Sequence, residues 1–329
     1  MTRAAPLLAV RQLRRHFPVR NAFGMLTGAI RALDDVTLDV RPGETLGIVG
    51  ESGCGKSTLG KTLAGIHEPD AGQIVFEGED ISQLRGGARG SVTQRLQYIH
   101  QDSGNALDPR WKIGRSLDEP LAIHTNLTRA ERGERVREIL AAVGLPRGHL
   151  DLYPHEISGG QQRRVGLARI LTLQPRLVIL DEPTSGLDVS VQAMVLKLLR
   201  DLQERFELTY LFISHDLSVV RVMCDRVGVM YLGRFVELAA TEDLFARPRH
   251  PYARSLLSAI PQIGGRRVTD TFALEGEPPN AAQLPSGCRF RPRCPLAAAV
   301  CEVREPELEP VGEGHSAACH FADGAGESR

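Results

Sequence analysis

Gly50-Glu51-Ser52-Gly53-Cys54-Gly55-Lys56-Ser57-Thr58 lies between the apolar run Leu46-Gly47-Ile48-Val49 and a helix-forming run that continues to Ile66. Strand, glycine loop and helix in that order are the setting of a phosphate-binding P-loop, and the pattern G-x-x-x-x-G-K-S is complete. Gly50, Gly53 and Gly55 permit main-chain turns closed to other residues and bring N–H groups against phosphate oxygens. Ser52, Cys54 and Thr58 are further candidate nucleotide-binding residues of the loop, Cys54 at a variable position. The helix that follows adds the positive end of its dipole. Lys56 has the reach for β- and γ-phosphates, and the Ser57 hydroxyl can ligate Mg2+. A glycine turn that merely joins a strand to a helix has no need of the Lys-Ser pair. The chain is expected to bind a nucleoside triphosphate.

On the N-terminal side, Arg41-Pro42-Gly43-Glu44 is a turn signal, and Val36 to Val40 alternates as a half-buried strand does. Residues from Asn21 to Ile30 include two glycines and read as an exposed loop, and Leu7 to Val10 reads as a short strand. Phe17 offers an aromatic face to a purine, or a packed core ring; its position suits either. On the C-terminal side, Gln73 to Phe76 reads as a strand, Arg85 to Gly90 as a loop, and Leu96 to His100 as a strand that ends at Gln101. Helical periodicity runs through residues 115–145 until Gly144 and Pro146 stop it.

Two further landmarks belong with the P-loop. Ser158-Gly159-Gly160-Gln161 precedes a helical run, so Ser158 can cap it while the glycines leave main-chain N–H groups open to an anion. Leu177-Val178-Ile179-Leu180 is a wholly apolar strand ending in Asp181-Glu182. Beside a P-loop, an Asp at such a strand end positions Mg2+, and an adjacent Glu can take a proton from the attacking water. Ser185-Gly186-Leu187-Asp188 turns into the next helix, and the apolar strand Leu211-Phe212-Ile213 delivers His215, which could sense a γ-phosphate.

The bounds agree. The chain has 329 residues, room for one large or two modest domains. Lys+Arg and Asp+Glu are 40 each, so no global field draws nucleic acid. No apolar run approaches the roughly 20 residues of a membrane span, and Met1 to Pro6, with no long apolar core behind it, is not expected to act as an export signal. Of six cysteines, Cys288, Cys294, Cys301 and Cys319 crowd the C-terminal region at spacing C-x5-C-x6-C-x17-C. In a reducing compartment that suggests metal before disulfides. Four thiolates suit Zn2+ or an iron–sulfur cluster, and the lack of a C-x2-C pair tilts the choice toward the cluster. His315 and His320 are possible substitutes, and four reduced thiols in a packing module are the plainer alternative.

Taken together, the P-loop, the Gln101 loop, the Ser-Gly-Gly-Gln signature, Asp181-Glu182, Ser-Gly-Leu-Asp and His215 resemble, in family order, the nucleotide-binding subunit of an ABC transporter. Tyr153-Pro154-His155-Glu156, Leu187 to Gln192, Val229 to Gly233, His250-Pro251-Tyr252 and the segment Pro285 to Pro295 resemble the ATPases of bacterial oligopeptide and dipeptide importers. The resemblance implies an α/β fold: a P-loop NTPase core over residues 7–260 with an antiparallel β subdomain and a helical signature subdomain (about 103–170), followed by a Cys-rich extension (261–329). It implies ATP hydrolysis with Mg2+ held by Ser57, Gln101 and Asp181, with Glu182, His215 and Gln101 at the reacting end. In a head-to-tail dimer, Ser158, Gly160, Gln161 and Asp188 would serve the partner's ATP. The partners implied are a second ATPase subunit, two transmembrane permeases and an extracytoplasmic peptide-binding protein, at the cytoplasmic face of the inner membrane. The tail resembles one that holds a [4Fe-4S] cluster. Ile157, Arg163 and the residues flanking Gln101 depart from the usual pattern, but no group needed for hydrolysis is missing. Nickel and glutathione remain alternative cargoes. A soluble non-transport ABC ATPase is disfavoured by the single cassette, and a P-loop kinase or GTPase by the signature.

Overall fold

A computed structural model describes residues 5–85, 87–100, 107–259, 276–277 and 279–322. In chain order the elements begin with β1 (Leu8–Arg20), β2 (Leu26–Val40), β3 (Thr45–Val49), α1 (Lys56–Leu63), β4 (Ala71–Phe76) and β5 (Glu79–Asp80). Next come α2 (Gly87–Arg95), β6 (Leu96–Ile99), α3 (Ile113–His124), α4 (Arg129–Ala142), α5 (Gly159–Leu171) and β7 (Leu177–Asp181). They are followed by α6 (Val189–Phe206), β8 (Thr209–Ile213), α7 (Leu217–Met223), β9 (Arg226–Tyr231) and β10 (Arg234–Ala240). The last are α8 (Thr241–Ala246), α9 (Pro251–Ser258), α10 (Val300–Val303), β11 (Glu309–Gly312) and β12 (His315–Ala317). The chain divides into two compact units, residues 1–82 with 212–329, and residues 83–211.

The first unit carries two sheets. One is antiparallel, in the order β2-β1-β4-β5. Its long hairpin corrects the loop expected from Asn21 to Ile30: Val19 pairs with Gly28 and Phe17 with Ile30, so the turn is confined to the residues before Leu26. Strands this exposed do not need the apolar alternation by which a half-buried strand is recognised. In the other sheet the order is β11-β12-β10-β9-β3, with β3 parallel to β9. All five residues of β3 are buried, which is why it reads as an apolar run from Leu46 to Val49. The Cys-rich region joins this sheet through β12, which pairs with β10 at Glu237↔Ala317.

In the second unit β6 runs parallel to β7, Leu96↔Leu177 through Ile99↔Leu180, and β7 is buried along its whole length. The stretch read as a loop around Arg85 to Gly90 enters α2 at Gly87. The helical region read as 115–145 is two helices, α3 and α4. Thr128 starts the second with a complete capping box: its side chain accepts the Glu131 N–H at 3.3 Å while Glu131 accepts the Thr128 N–H at 2.7 Å. Among the described residues no helix is long and apolar enough to cross a membrane.

Candidate functional site

The glycine loop turns directly from β3 into α1. Gly55 is the residue before the helix, at φ +113°. Lys56 is buried, and its ammonium donates to the carbonyl oxygens of Gly50 at 2.7 Å and Glu51 at 2.9 Å, with Cys54 Sγ at 3.8 Å. A primary ammonium folded onto its own loop in this way keeps the loop curled. Burial pushes the Cys54 thiol up, so it stands there as a small neutral group. Ser52 and Gly53 are exposed at the crest, while Ser57 and Thr58 are half-buried in the first turn of α1. The loop is also tied to the β9–β10 turn, where Gly233 N–H donates to Cys54 O at 2.8 Å.

His215 is exposed beyond the end of β8. Its neighbour Ser214 donates its N–H to Ile48 O at 3.1 Å, which sets that strand end beside the strand leading into the loop. Phe17 is half-buried rather than a core ring. It meets His67 edge-on at 5.4 Å, and the Arg15 guanidinium lies 4.8 Å over its face.

In the second unit, Asp181 and Glu182 stand together at the tip of β7. Asp181 is buried and accepts the Tyr98 hydroxyl at 2.5 Å. Burial and the Asp181 carboxylate both push the Tyr98 phenol up, so it stays a donor at any working pH. Glu182 is half-buried, has φ +51°, and its carbonyl accepts Ser185 N–H at 3.2 Å. A left-handed residue other than glycine at a strand tip is strained, and such strain gathers where a side chain must be aimed. Gln101 lies outside the described residues.

Ser158 caps α5 in a capping box with Gln161: Ser158 N–H donates to Gln161 Oε1 at 2.9 Å and Gln161 N–H to Ser158 Oγ at 3.3 Å. The Gln161 side chain is therefore engaged in the cap. Nothing lies within 4 Å of where a Cβ on Gly159 or Gly160 would be, so that helix end faces open space. Ser158, Gly160 and Gln161 line one cleft of about 700 Å³ with Leu187 and Val191. Asp188 caps α6, accepting Val191 N–H at 2.9 Å and the Ser190 hydroxyl at 2.6 Å; the Ser190 bond is the main cause that holds its carboxyl below the usual range.

The four C-terminal cysteines are reduced and within electrostatic reach of one another. Burial pushes the Cys288 thiol up to about 11, Cys294 to about 12, and Cys319 upward. Among the described residues, no group of three or more His, Cys, Asp or Glu side chains stands in a metal-holding arrangement. Cys301 is buried with its carbonyl occupied by Cys288 N–H at 2.8 Å, and Cys319 Sγ accepts Phe321 N–H at 3.4 Å. His315 is turned to Glu237 at 2.7 Å and His320 to Arg304 O at 3.0 Å.

Sequence reasoning missed Glu51, Tyr98, Tyr252 and Arg293. Glu51 N–H donates to the Tyr252 hydroxyl at 2.8 Å, and the Glu51 carboxylate receives Arg293 Nη1 and Nη2 at 2.7 and 3.0 Å. A carboxylate inside a glycine loop built for anions was the available signal, since it calls for a cation nearby.

Residues 33–185 match the ABC transporter family model, and residues 236–301 match the oligopeptide/dipeptide transporter C-terminal region. The chain is 49% identical over 314 residues to a putative peptide import ATP-binding protein of Brucella ovis, covering 95% of this chain and 97% of that one. It is 47% identical over 319 residues to the oligopeptide transport ATP-binding protein AppF of Bacillus subtilis, covering 96% and 97%. Among solved structures it is similar to cbiO1 of Clostridium perfringens, part of the ABC transporter complex cbiONQ. The TM-score is 0.63 at 30% identity, covering 74% of this chain and 91% of that one.

Proposed function

The chain belongs to the ABC transporter ATP-binding family, and from that premise we propose that it is the ATP-hydrolysing subunit of an importer of oligopeptides or dipeptides. The observation that carries this reading is a complete P-loop with a buried Lys56 in a chain that also matches the peptide-transporter C-terminal region. In this reading Gly50, Ser52, Gly53, Cys54, Gly55 and Thr58 wrap the phosphates, Lys56 leaves its loop carbonyls for them, and Phe17 lies against the base. Ser57, Gln101 and Asp181 would hold Mg2+; hydroxyl, amide and carboxylate oxygens suit that hard cation. When bound, it neutralises charge on the β- and γ-phosphates. Glu182 accepts a proton from water as the water oxygen bonds to the γ-phosphorus and the bond to ADP breaks, with His215 contacting the departing phosphate.

Two such chains would meet head to tail. The open start of α5 supports this, because main-chain N–H groups at a helix N-terminus suit a second ATP's γ-phosphate. Ser158, Gly160, Gln161 and Asp188 then act across the interface. The second ATPase is proposed to be a different chain, docked with it on two permeases at the inner membrane and served by an extracytoplasmic binding protein.

The test is uptake of labelled di- and oligopeptides by source cells carrying wild type or Lys56→Ala, with redundant importers deleted. Peptide uptake is expected to fall to background while nickel uptake is unchanged. Unchanged peptide uptake would move the cargo elsewhere.

We also propose that Cys288, Cys294, Cys301 and Cys319 take a metal, preferably as [4Fe-4S] and otherwise Zn2+, by drawing together from their shared neighbourhood. Anaerobically purified protein should then be brown, and Cys294→Ser should bleach it. One equivalent of zinc in colourless protein would select the other metal, and no metal at all would leave four structural thiols.

A further inference from the structure

Glu51 is gripped at each of its polar groups. Its carbonyl oxygen accepts from Lys56 at 2.9 Å, its N–H donates to Tyr252 at 2.8 Å, and its carboxylate takes two bonds from Arg293. Tyr252 is fully buried, the Arg293 side chain is 5% exposed, and neither belongs to the nucleotide-binding sequence pattern. Tyr252 lies in the first turn of α9, and Arg293 stands one residue before Cys294.

Both grips are themselves fixed. His250 Nδ1 accepts the Tyr252 N–H at 3.0 Å, and the N–H groups of Arg249 and His250 donate to the fully buried Glu237 at 2.8 and 2.7 Å. Glu237 also holds His315 of β12 at 2.7 Å. Phe290 packs on Tyr252 and Tyr231 with ring centres 5.4 Å away, and on His250 at 5.6 Å. Arg289 donates to Leu232 O at 2.6 Å and reaches the buried Asp34, so the segment bearing Arg293 is anchored both to the β9–β10 turn and to β2.

We propose that Tyr252 and Arg293 are positioning residues of the P-loop: they fix Glu51, and with it the curl of the glycine loop, so that nucleotide affinity depends on the C-terminal region. A glycine-rich loop has many conformations to lose when it closes on phosphate. Anchors outside the loop remove part of that loss before the ligand arrives, and preorganisation of this kind is read out as affinity. The anchors touch no reacting atom, so they act on binding and not on the chemical step.

The inference rests on the P-loop reading above, and the experiment separates the two. In the full-length chain, Arg293→Gln and Glu51→Gln should each weaken binding of a fluorescent ATP analogue about tenfold, as expected for loss of a charge-assisted pair. KM should rise in parallel while kcat stays within about twofold. The double variant should be no weaker than either single one, and Arg293→Lys should recover part of the loss, because one ammonium replaces a two-pronged contact. Tyr252→Phe removes one oxygen and keeps the ring packing, so it decides the matter if Arg293→Gln fails to fold; about fivefold weaker binding is expected. Wild-type affinity in folded Arg293→Gln and Tyr252→Phe, or simple additivity in the double variant, overturns the inference. Lys56→Ala run alongside should abolish binding. If it binds normally, the P-loop reading itself has failed.

Discussion

Replacing Glu182 with glutamine is expected to lower ATP turnover about 10²- to 10⁴-fold, the usual worth of a general base, while ATP stays bound. Glutamine keeps the volume of the side chain and one acceptor oxygen but cannot take a proton from water. The rest of the strand tip should not move. Asp181 retains its Tyr98 bond and its burial, since neither involves the neighbouring side chain. The main-chain turn closes on Glu182 O, not on its carboxylate, so it survives the substitution. Glutamine must also occupy φ +51°, but glutamate already bears that cost, and the two differ little in it. With binding intact and hydrolysis stopped, the ATP-held dimer should accumulate. Phosphate release at saturating ATP and Mg2+ reads the first effect, and light scattering with and without ATP reads the second. Wild-type phosphate release in the variant would remove Glu182 from the role proposed for it.

How much of this could be read in the sequence depends on the range of each interaction. The P-loop, the apolar β7 ending in Asp181-Glu182 and the Ser158 cap were legible because each is local: the chemistry and the turn that presents it occupy neighbouring residues. The β1–β2 hairpin was read too short, because Arg14, Arg15 and His16 on one strand and Gly28 on the other hide a pairing set across the sheet and not along the chain. Tyr98 was passed over for the same reason. Its hydroxyl meets a carboxylate 83 residues away, and that is decided by the parallel register of β6 and β7. Glu51 is more extreme, with partners 201 and 242 residues on. Its odd charge in a glycine loop could be noticed, but Tyr252 could not be chosen from other tyrosines without the fold. The cysteine spacing is legible only as a ligand inventory: a count of thiols names candidates, whereas coordination depends on their sulfur atoms turning to one point, which spacing along the chain does not set.

A second large effect is expected at Gly55, where alanine should weaken ATP binding about a hundredfold or more, the loss of two or so charge-assisted hydrogen bonds from the loop. Two independent costs arise there. The residue has φ +113°, which side-chain-bearing residues rarely adopt. A Cβ would also lie 2.2 Å from Ala32 O and 2.8 Å from Met230 Cε. The methionine can swing aside, but the Ala32 carbonyl belongs to β2 and cannot. Relief must come from Gly55 itself, whose carbonyl accepts Leu59 N–H at 2.9 Å as α1 begins. Any shift therefore displaces the first turn of α1, which carries Lys56 and Ser57. Gly53 is the internal comparison: its φ of +78° is left-handed too, yet nothing lies within 4 Å of its Cβ position. Gly53→Ala should show the backbone strain, about 1–2 kcal/mol, without the collision. Nucleotide titration and thermal unfolding of both variants check the argument, with Gly55→Ala losing affinity far beyond Gly53→Ala and melting several degrees below wild type. Equal, small losses at the two positions would mean that the β2 carbonyl yields, and that the loop is less tightly seated than its contacts imply.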